Sequence, residues 1–224
     1  MAGRQNSRNS KGSASSVSGA VSPAPGRRER NKQEKLARIV GAARALFRDQ
    51  GFTETTTQQI AEAADIGAGT LFLYARSKED LLVMVFRDEM VETARAAFAR
   101  ISPDQPLIDQ LLEVFGAMLD YHARDTALAR ILLKEAMFPG VDERRTDITE
   151  LLSVIYAGLA EMITRARAAG RCNQDADPIR VAENLFANYY MDLLGWLAGL
   201  GTRDQFLARL RQHLAITISA APLY

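Results

Sequence analysis

The spacing of apolar residues constrains the fold of this 224-residue chain more than any other feature. Large apolar side chains recur every third or fourth position and do not alternate at every second one, which is the pattern of helices and not of strands. Proline, which interrupts helices, is absent from residues 26–102 and 140–177. The sequence therefore predicts an all-α fold, and its 47% hydrophobic content is sufficient for a substantial core.

Capping residues, glycines and prolines set the predicted helix boundaries. The first helix is expected to end at Gly51, whose left-handed backbone would bring Phe52 onto Phe47. A long helix is predicted over residues 78–101, because a Ser-Pro pair follows it. Further helices are predicted around residues 108–119, 128–132, 148–170, 178–200 and 203–219.

Residues 1–30 differ in composition from the rest of the chain. Ser, Gly and Pro make up 13 of these 30 positions, and the segment carries a charge of +5 in a chain whose net charge is +1. Such a segment cannot bury enough apolar surface to offset its ordering entropy, so we expect a disordered tail. It is either a solubilising segment or an arm that binds nucleic acid, because basic residues adjoin the first helix. These residues are Arg27, Arg28, Arg30 and Lys32.

Composition also excludes several kinds of site. The single cysteine, Cys172, excludes an internal disulfide, and neither it nor the two histidines have the spacing of zinc ligands. The sequence contains no nucleophile–base pair, phosphate-binding loop or metal motif, so we expect no catalytic site, no metal and no cofactor. No apolar stretch is long enough for a membrane helix, and the first 30 residues lack the apolar core of a secretory signal. We therefore expect a cytoplasmic protein without membrane contact.

The segment TTQQIAEAADIGAGTLFLYA, which begins at Thr56, contains the most informative pattern. Thr56 and Gln59 have the spacing of a capping box, which begins a short helix. Asp65 tolerates a left-handed backbone, and Gly67 is a suitable N-cap for a second helix of about residues 68–74. Two short helices joined by a tight turn form a helix-turn-helix, whose second helix enters the DNA major groove. An ordinary corner between two helices of a bundle has the same local pattern.

A set of positions within residues 36–86 adds a family resemblance to this pattern. The positions are Ile39, Ala42, Ala43, Leu46, Phe47, Gly51-Phe52, Thr55-Thr56, Ile60-Ala61, Ala64, Gly69-Thr70-Leu71, Tyr74, Ser77-Lys78-Glu79 and Leu81-Leu82. In them the chain resembles the DNA-binding head of the TetR family of bacterial regulators. The resemblance implies a helix-turn-helix DNA-binding domain in residues 31–80 and a helical ligand-binding and dimerisation domain in residues 81–224.

The resemblance and the groove geometry together assign the DNA-binding residues. Base readout is expected from Gln58, which can pair with adenine through its amide, and from Thr70, which can bond to a base or offer its methyl group. Phe72 stands where the family usually has Tyr, so a hydroxyl that typically meets a phosphate is absent. The predicted DNA-binding residues are Thr56, Thr57, Gln58, Gly67, Ala68, Gly69, Thr70, Leu71, Phe72, Tyr74 and Lys78.

The charge of residues 31–80 limits how this head can attract DNA. The segment contains seven basic and seven acidic residues. Since phosphate contacts supply most of the binding energy, we expect them from helix N-termini at Thr57 and Ala68, from Lys78 and from the basic tail. Deletion of residues 1–30 should then weaken binding to DNA of any sequence and reduce its salt dependence.

The resemblance also implies a small-molecule cavity in the second domain. An apolar effector would release the protein from a palindromic operator by tilting the long helix. The candidate pocket residues are Phe98, Phe115, Met118, His122, Met137, Tyr156 and Met162. Methionines and aromatic residues also fill ordinary cores, and His122 is alternatively a hydrogen-bonded core histidine.

The helix predicted at residues 178–200 is apolar nearly all round, which indicates burial on two sides. Its own bundle can cover one side and a second copy of the chain the other; a central helix of a monomer is the alternative. In the family, the last two helices form the dimer interface. The predicted interface residues are Phe186, Tyr189, Leu193, Trp196, Leu197 and Leu210.

Three functional classes follow from these observations. The sequence favours a homodimeric repressor that binds double-stranded DNA and responds to a small-molecule effector. The second class is a regulator or organiser with the same head that has no ligand or is controlled by a partner protein. The third is a helical enzyme or carrier, for which no motif is present.

Overall fold

The computed structural model of the chain describes residues 26–137, 142–172 and 177–219, without the side chains of residues 137 and 142–144. Every regular element within these residues is a helix, so the predicted all-α fold is confirmed. In chain order the helices are α1 Arg27–Gln50, α2 Thr57–Ala63, α3 Ala68–Leu71, α4 Lys78–Arg100, α5 Leu107–Ala123, α6 Thr126–Met137, α7 Asp142–Ala168, α8 Pro178–Leu197 and α9 Arg203–Ser219.

Helices α1, α2 and α3 form a small head on the start of α4. The apolar faces of the four helices meet in one core, in which Ile39 and Phe47 of α1, Ile60 of α2, Leu71 of α3 and Leu81 of α4 are all buried. Burial of large apolar side chains is the main source of stability for the short helices α2 and α3, because isolated helices of their length are not stable in water.

Helix α4 connects this head to a bundle formed with α5, α6, α7, α8 and α9. Every residue from Asp80 to Phe86 is buried, because α1 covers α4 on one side and the bundle helices cover it on the other. A helix that is enclosed on all sides transmits displacements between its neighbours, since packed interiors have little free space. Within the described residues, no helix is both long enough and apolar enough to cross a membrane.

Several helix boundaries differ from the sequence expectation; α6 and α7, for example, begin at Thr126 and Asp142, two and six residues before the predicted starts. Helix α1 begins at Arg27, inside the predicted tail, and residues 1–25 of that tail lie outside the described residues. Helix α3 ends at Leu71 because the amides of Leu73 and Tyr74 bond to the third residue before them, which continues the chain as turns. Helix α8 ends at Leu197, where Gly199 has φ +87° and the chain turns toward α9.

The end of α1 shows a further difference in detail. Gly51 has a positive φ of +86°, as expected, but its ψ of 159° is extended and not left-handed helical. Phe52 nevertheless folds back onto Phe47, with the ring centroids 5.3 Å apart. Glycine is favoured here because side chains rarely adopt a positive φ.

Candidate nucleic-acid interface and interior cavities

The hydrogen bonds of an N-terminal capping box fix the start of α2. The amide of Gln59 donates to Oγ1 of Thr56 at 3.2 Å, and the amide of Thr56 donates to Oε1 of Gln59 at 2.8 Å, which completes the predicted capping box. Gln50, at the end of α1, donates to the same Gln59 oxygen at 3.0 Å. The start of α2 is therefore tied to the end of α1.

The turn between α2 and α3 has the geometry expected from its residues. Asp65 adopts φ 54°, and it is the only residue other than glycine with a positive φ in the described part of the chain. The amide of Ile66 bonds to the carbonyl of Ala61, and the amide of Thr70 bonds to the carbonyl of Gly67 at 2.8 Å. The chain thus reverses within three residues and leaves α3 on the outside of the head.

The side chains at the outer surface of α2 and α3 are the predicted base-reading ones. Gln58 is exposed, and its amide donates to the carboxylate of Glu62 at 2.8 Å. Thr56, Gly67 and Gly69 are exposed. Thr57, Ala68, Thr70 and Tyr74 are partly exposed. This surface presents amide, hydroxyl and small apolar groups, and no basic side chain lies between Thr56 and Ala75.

Two large apolar side chains project beyond the end of α3. Phe72 is 51% exposed and Leu73 is 82% exposed. Exposed apolar groups next to a DNA-reading helix can contact thymine methyl groups. Phe72 is among the DNA-contacting residues predicted from the sequence, but Leu73 is not. Leu73 does not fit the spacing of the buried residues Leu71 and Ala75, and this is the signal that could have identified it as exposed.

Leu71 lies on the opposite side of α3 from these residues. Its side chain is completely buried in the core that α1, α2 and α4 form with α3. This position corrects its predicted place among the DNA-contacting residues, because a side chain without exposed surface cannot reach a base or a phosphate. Leu71 supports the DNA-reading helix from below.

Lys78 also differs from its predicted role as a phosphate contact. Its ammonium donates to the carbonyls of Phe52, Thr53 and Thr55 at 2.7, 3.1 and 2.8 Å, and it lies 4.4 Å from the centroid of the Phe52 ring. A lysine ammonium has three N–H donors, and the three carbonyls take all of them. The geometry therefore corrects the prediction: Lys78 holds the turn between α1 and α2.

Basic side chains near the DNA-reading surface come instead from the start of α1. Arg27, Arg28, Arg30 and Lys32 are all exposed. Lys32 lies in a surface groove together with Phe72 and Leu73. Arg76, which follows α3 in the sequence, is exposed and lines the same groove, so both α1 and the segment after α3 place positive charge next to α3.

An apolar cavity of about 260 Å³ lies inside the bundle. Its walls come from α4, α5, α6, α7 and α8, and they include Phe86, Met90, Met118, His122 and Leu193. A concave space lined by apolar side chains around a few polar groups is typical of small-molecule sites. Among the described residues, no three His, Cys, Asp or Glu side chains form a group that could hold a metal ion.

A second cavity, of about 380 Å³, adjoins the first at the junction between head and bundle. Phe86 and His122 line both cavities. The second cavity contains polar groups, including the guanidinium of Arg44 on α1, which lies 3.5 Å from the carboxylate of Glu89. The hydroxyl of Tyr121 donates to Glu89 at 2.7 Å, and burial together with this bond holds the pKa of Tyr121 far above its ordinary value.

His122 is the polar group with the most unusual environment in this region. It is 3% exposed, and its Nδ1 is buried without a hydrogen-bond partner in the described structure. Burial lowers the pKa of its imidazole from 6.5 to about 4, so the ring is uncharged at neutral pH. The alternative expected from the sequence is a core histidine with its hydrogen bonds made, but Nδ1 makes none in the described structure.

Only part of the predicted ligand pocket lines the apolar cavity. Met118 and His122 do, and the side chain of Met137 lies outside the described residues. The other four lie outside the cavity wall for packing reasons: Phe98 lies against Gly158, Phe115 stacks on Tyr189, Tyr156 packs edge-on to Phe186, and Met162 is buried in the core. Sequence reasoning missed Phe86 and Met90, whose spacing of four residues on α4 is the signal that could have found them.

The predicted dimer residues also occupy different positions. Tyr189, Leu193, Leu197 and Leu210 are buried within a single chain, and Phe186 lines the apolar cavity. These four buried side chains are covered by their own chain, so a partner subunit cannot reach them, whereas Phe186 and Trp196 are partly exposed. Met191 of α8 and Ile216 of α9 are instead 66% and 69% exposed.

Comparison with known proteins agrees with the geometry of the head. Residues 39–85 match the family model described as bacterial regulatory proteins, tetR family. The "Fatty acid metabolism regulator protein" of Bacillus subtilis is 24% identical over 156 residues, which are 70% of this chain and 79% of that protein. The "HTH-type transcriptional repressor KstR" of Mycolicibacterium smegmatis is 27% identical over 172 residues, 74% of this chain and 78% of that one.

A solved structure extends the similarity to nearly the whole described fold. Thermus thermophilus FadR, described as a TetR family transcriptional repressor in complex with lauroyl-CoA, superposes with a TM-score of 0.64 at 26% sequence identity. The match covers 84% of this chain and 96% of the other. With the helix-turn-helix exposed on the head and a helical bundle behind it, the chain is a DNA-binding transcriptional regulator whose head matches the tetR family and whose fold is similar to that of TetR-family repressors.

Proposed function

We propose that the protein is a homodimeric repressor that a ligand with an acyl chain releases from its operator. The observation that carries this proposal is the apolar cavity of about 260 Å³ between the helices of the bundle. A cavity of about 150 Å³ in a protein core is large enough to bind benzene, so this one can hold a longer hydrocarbon. The alternative from the sequence, a regulator without a ligand, would leave this apolar space unfilled.

The relatives support an acyl chain as the apolar part of the ligand. The Thermus thermophilus structure contains lauroyl-CoA, and the Bacillus subtilis relative is named for fatty acid metabolism. The cavity walls fit this chemistry, because they consist almost entirely of aliphatic and aromatic side chains. Binding would then be driven by removal of the acyl chain from water.

DNA recognition is assigned to the outer surface of the head. Gln58 and Thr70 read base edges in the major groove, and Phe72 and Leu73 contact thymine methyl groups. The exposed basic residues at the start of α1 supply phosphate contacts, which position the head but carry no sequence information. The proposed regulator acts in the cytoplasm on double-stranded DNA.

A dimer is needed because one head contacts only a few base pairs. Two heads must lie about 34–36 Å apart, or a multiple of this, to reach successive half-sites of a palindrome. We assign the interface to the outer sides of α8 and α9, where Met191 and Ile216 are exposed. The two helices are held together by hydrogen bonds from Asn188 to Thr217 and from Arg209 to Asp192.

Operator selection with purified protein tests the complete proposal. Genomic fragments retained by the protein are sequenced, and a gel-shift assay then measures operator affinity with and without decanoyl-CoA. We expect a palindromic consensus and release of the DNA by the ligand. A reproducible operator that no acyl ligand releases would select the ligandless regulator, whereas the absence of any preferred sequence would contradict the assigned DNA-reading surface.

Sedimentation tests the dimer separately. The charge in Met191→Glu should convert dimers into monomers and weaken operator binding, because a carboxylate would be desolvated in the interface. Met191→Leu preserves an apolar side chain of similar volume and should remain dimeric. A dimer that persists unchanged in Met191→Glu would place the interface elsewhere.

A further inference from the structure

The two interior cavities meet at one pair of side chains. The rings of Phe86 and His122 line both cavities and lie 5.7 Å apart between their centroids. A ligand whose chain fills the apolar cavity must therefore pass this pair if its other end is to reach the second cavity. The part of the ligand beside His122 is the link between its apolar chain and its polar end.

His122 has an unused hydrogen-bonding atom at this point. Its Nδ1 is buried and has no partner in the described structure. The imidazole is uncharged at neutral pH, and an uncharged imidazole has one N–H donor and one acceptor nitrogen. A buried polar atom without a partner costs free energy, and a ligand that supplies the partner recovers it.

The second cavity suits a polar head and opens to solvent. It is lined by Arg44, Arg48 and Arg124 and by the carboxylates of Glu89 and Asp125. Arg48, Arg124 and Asp125 are exposed, so the cavity reaches the protein surface. Its arginines outnumber its carboxylates, and guanidinium groups bind carboxylates and phosphates through paired N–H donors.

We infer that the two cavities form one site, in which the Nδ1–H of His122 donates a hydrogen bond to the carbonyl oxygen of an acyl ligand. The acyl chain occupies the apolar cavity, and the polar head occupies the cavity lined by Arg44, Arg48 and Arg124. Scaled from a cavity that holds benzene, the apolar part fits a chain of about ten carbons. This inference rests on the proposed function and assigns the chemical group that the site recognises.

The site also gives the ligand direct contact with the DNA-binding head. Arg44 and Phe47, which line the polar cavity, belong to α1. The Arg44 guanidinium lies within 4.0 Å of the carboxylates of Asp88, Glu89 and Glu92 on α4. A ligand head in this cavity changes these contacts, so it alters how α1 sits on α4 without a relay through the rest of the bundle.

A pair of ligands that differ only in the carbonyl tests the assignment. Isothermal titration calorimetry without DNA compares decanoyl-CoA with S-decyl-CoA, the thioether that has the same chain and the same head but no carbonyl. The wild type should bind decanoyl-CoA about five- to tenfold more tightly, the effect of one hydrogen bond. In His122→Leu the two ligands should bind equally.

Two further variants separate this hydrogen bond from a general effect on packing. His122→Asn places an amide N–H close to the position of Nδ1 and should restore most of the preference for decanoyl-CoA. Tyr156→Phe removes a hydroxyl from a ring outside the cavity and should keep the full preference. The comparison of the two ligands on the wild type does not depend on any variant folding.

The outcomes distinguish this inference from the proposed function. If the wild type binds both ligands equally and either one releases operator DNA, the assignment to His122 is overturned and the proposed function stands. If decanoyl-CoA, S-decyl-CoA and decanoate all fail to bind, both are overturned. A comparison with decanoate identifies the polar head of the ligand. Tighter binding of decanoate than of decanoyl-CoA assigns a free carboxylate to the polar cavity, and the reverse order assigns the thioester. In both cases the inference requires that His122→Leu binds the preferred ligand more weakly than the wild type does.

Discussion

The DNA-binding head and the helical bundle behind it differ in how their sites are encoded. In the head, the predicted base-reading residues lie within one short segment, and hydrogen bonds between near neighbours in sequence fix its backbone geometry. In the bundle, the cavity wall combines Phe86 with Leu193, more than a hundred residues later in the chain. Local hydrogen bonds thus position one site, and the packing of distant helices forms the other.

This difference predicts different responses to substitution. A site on short helices depends on a few buried side chains that hold it against the rest of the molecule, so single core substitutions should have large effects there. A cavity formed by five helices has many walls, and the chemistry of one polar group should affect its ligand more than the loss of any single apolar contact. The following predictions test this contrast, beginning with the largest expected effect.

Leu71 and Leu73 give the sharpest contrast within the head. Leu71 is completely buried and Leu73 is almost fully exposed. We expect Leu71→Ala to destabilise the protein by about 2–5 kcal/mol, because it leaves a cavity beneath α3. Chemical denaturation followed by circular dichroism measures this change.

Leu73→Ala is the matched control. It should change stability by less than about 0.5 kcal/mol, because exposed side chains contribute little to folding. Operator affinity should nevertheless fall if Leu73 contacts DNA. Equal stability losses in the two variants would remove the distinction between a supporting and a DNA-facing leucine.

The fold of the head was predictable in detail because its signals are local. Thr56 with Gln59 and Asp65 with Gly67 are recognisable in any helix-turn-helix, and each performs its expected backbone role. Lys78 shows the limit of such reasoning. Its side chain is positioned by three carbonyls that lie 23 to 26 residues earlier in the chain, and no local pattern predicts that contact.

In the bundle, periodicity predicted the helices but not which way their side chains face. Helix α8 is apolar nearly all round, so its sequence does not distinguish the core, the cavity and the outer surface. The structure places Leu185 in the core and Phe186 at the cavity, and it exposes Met191. Only the packing of α7 and α9 against α8 determines these directions, and that packing depends on the whole fold.

The second prediction concerns His122 and pH. Its pKa is about 4 in the folded protein and about 6.5 in an unfolded chain, so between these values the unfolded chain binds a proton that the folded protein does not. The stabilising contribution of the neutral ring is therefore complete above about pH 6.5 and is lost as the pH falls toward 4. We expect the wild type to lose about 2 kcal/mol of this contribution between pH 7.5 and pH 5.

Urea denaturation of the wild type and of His122→Leu at both pH values isolates this contribution. The carboxylates near the ring, Glu89 and Asp125, are the same in both proteins, so the difference between the two proteins reports His122. The leucine variant should lose less stability than the wild type on acidification. Identical losses would mean that the ring is already solvated or paired at neutral pH.

The third prediction returns to the head and concerns base readout. Gln58→Ala should cost about 1–3 kcal/mol on the preferred operator and much less on random DNA, because an adenine contact carries sequence information. Glu62→Ala is the control, since it frees the Gln58 amide from its 2.8 Å hydrogen bond without removing the amide. Fluorescence anisotropy measures both affinities. Equal losses on operator and random DNA would reassign Gln58 to the phosphate backbone.

The smallest expected effect is a change in the salt dependence of DNA affinity, which should differ between substitutions of two lysines of the head. Lys32 is exposed beside Phe72 and Leu73, whereas the ammonium of Lys78 is taken up by three carbonyls. Lys32→Ala should lower the slope of log affinity against log salt by about 0.9, the value for one lost phosphate contact. Lys78→Met should weaken the turn between α1 and α2 but leave the slope unchanged. A lowered slope in Lys78→Met would show that Lys78 contacts a phosphate. Its position in the local sequence would then predict its role better than its long-range contact with the three carbonyls.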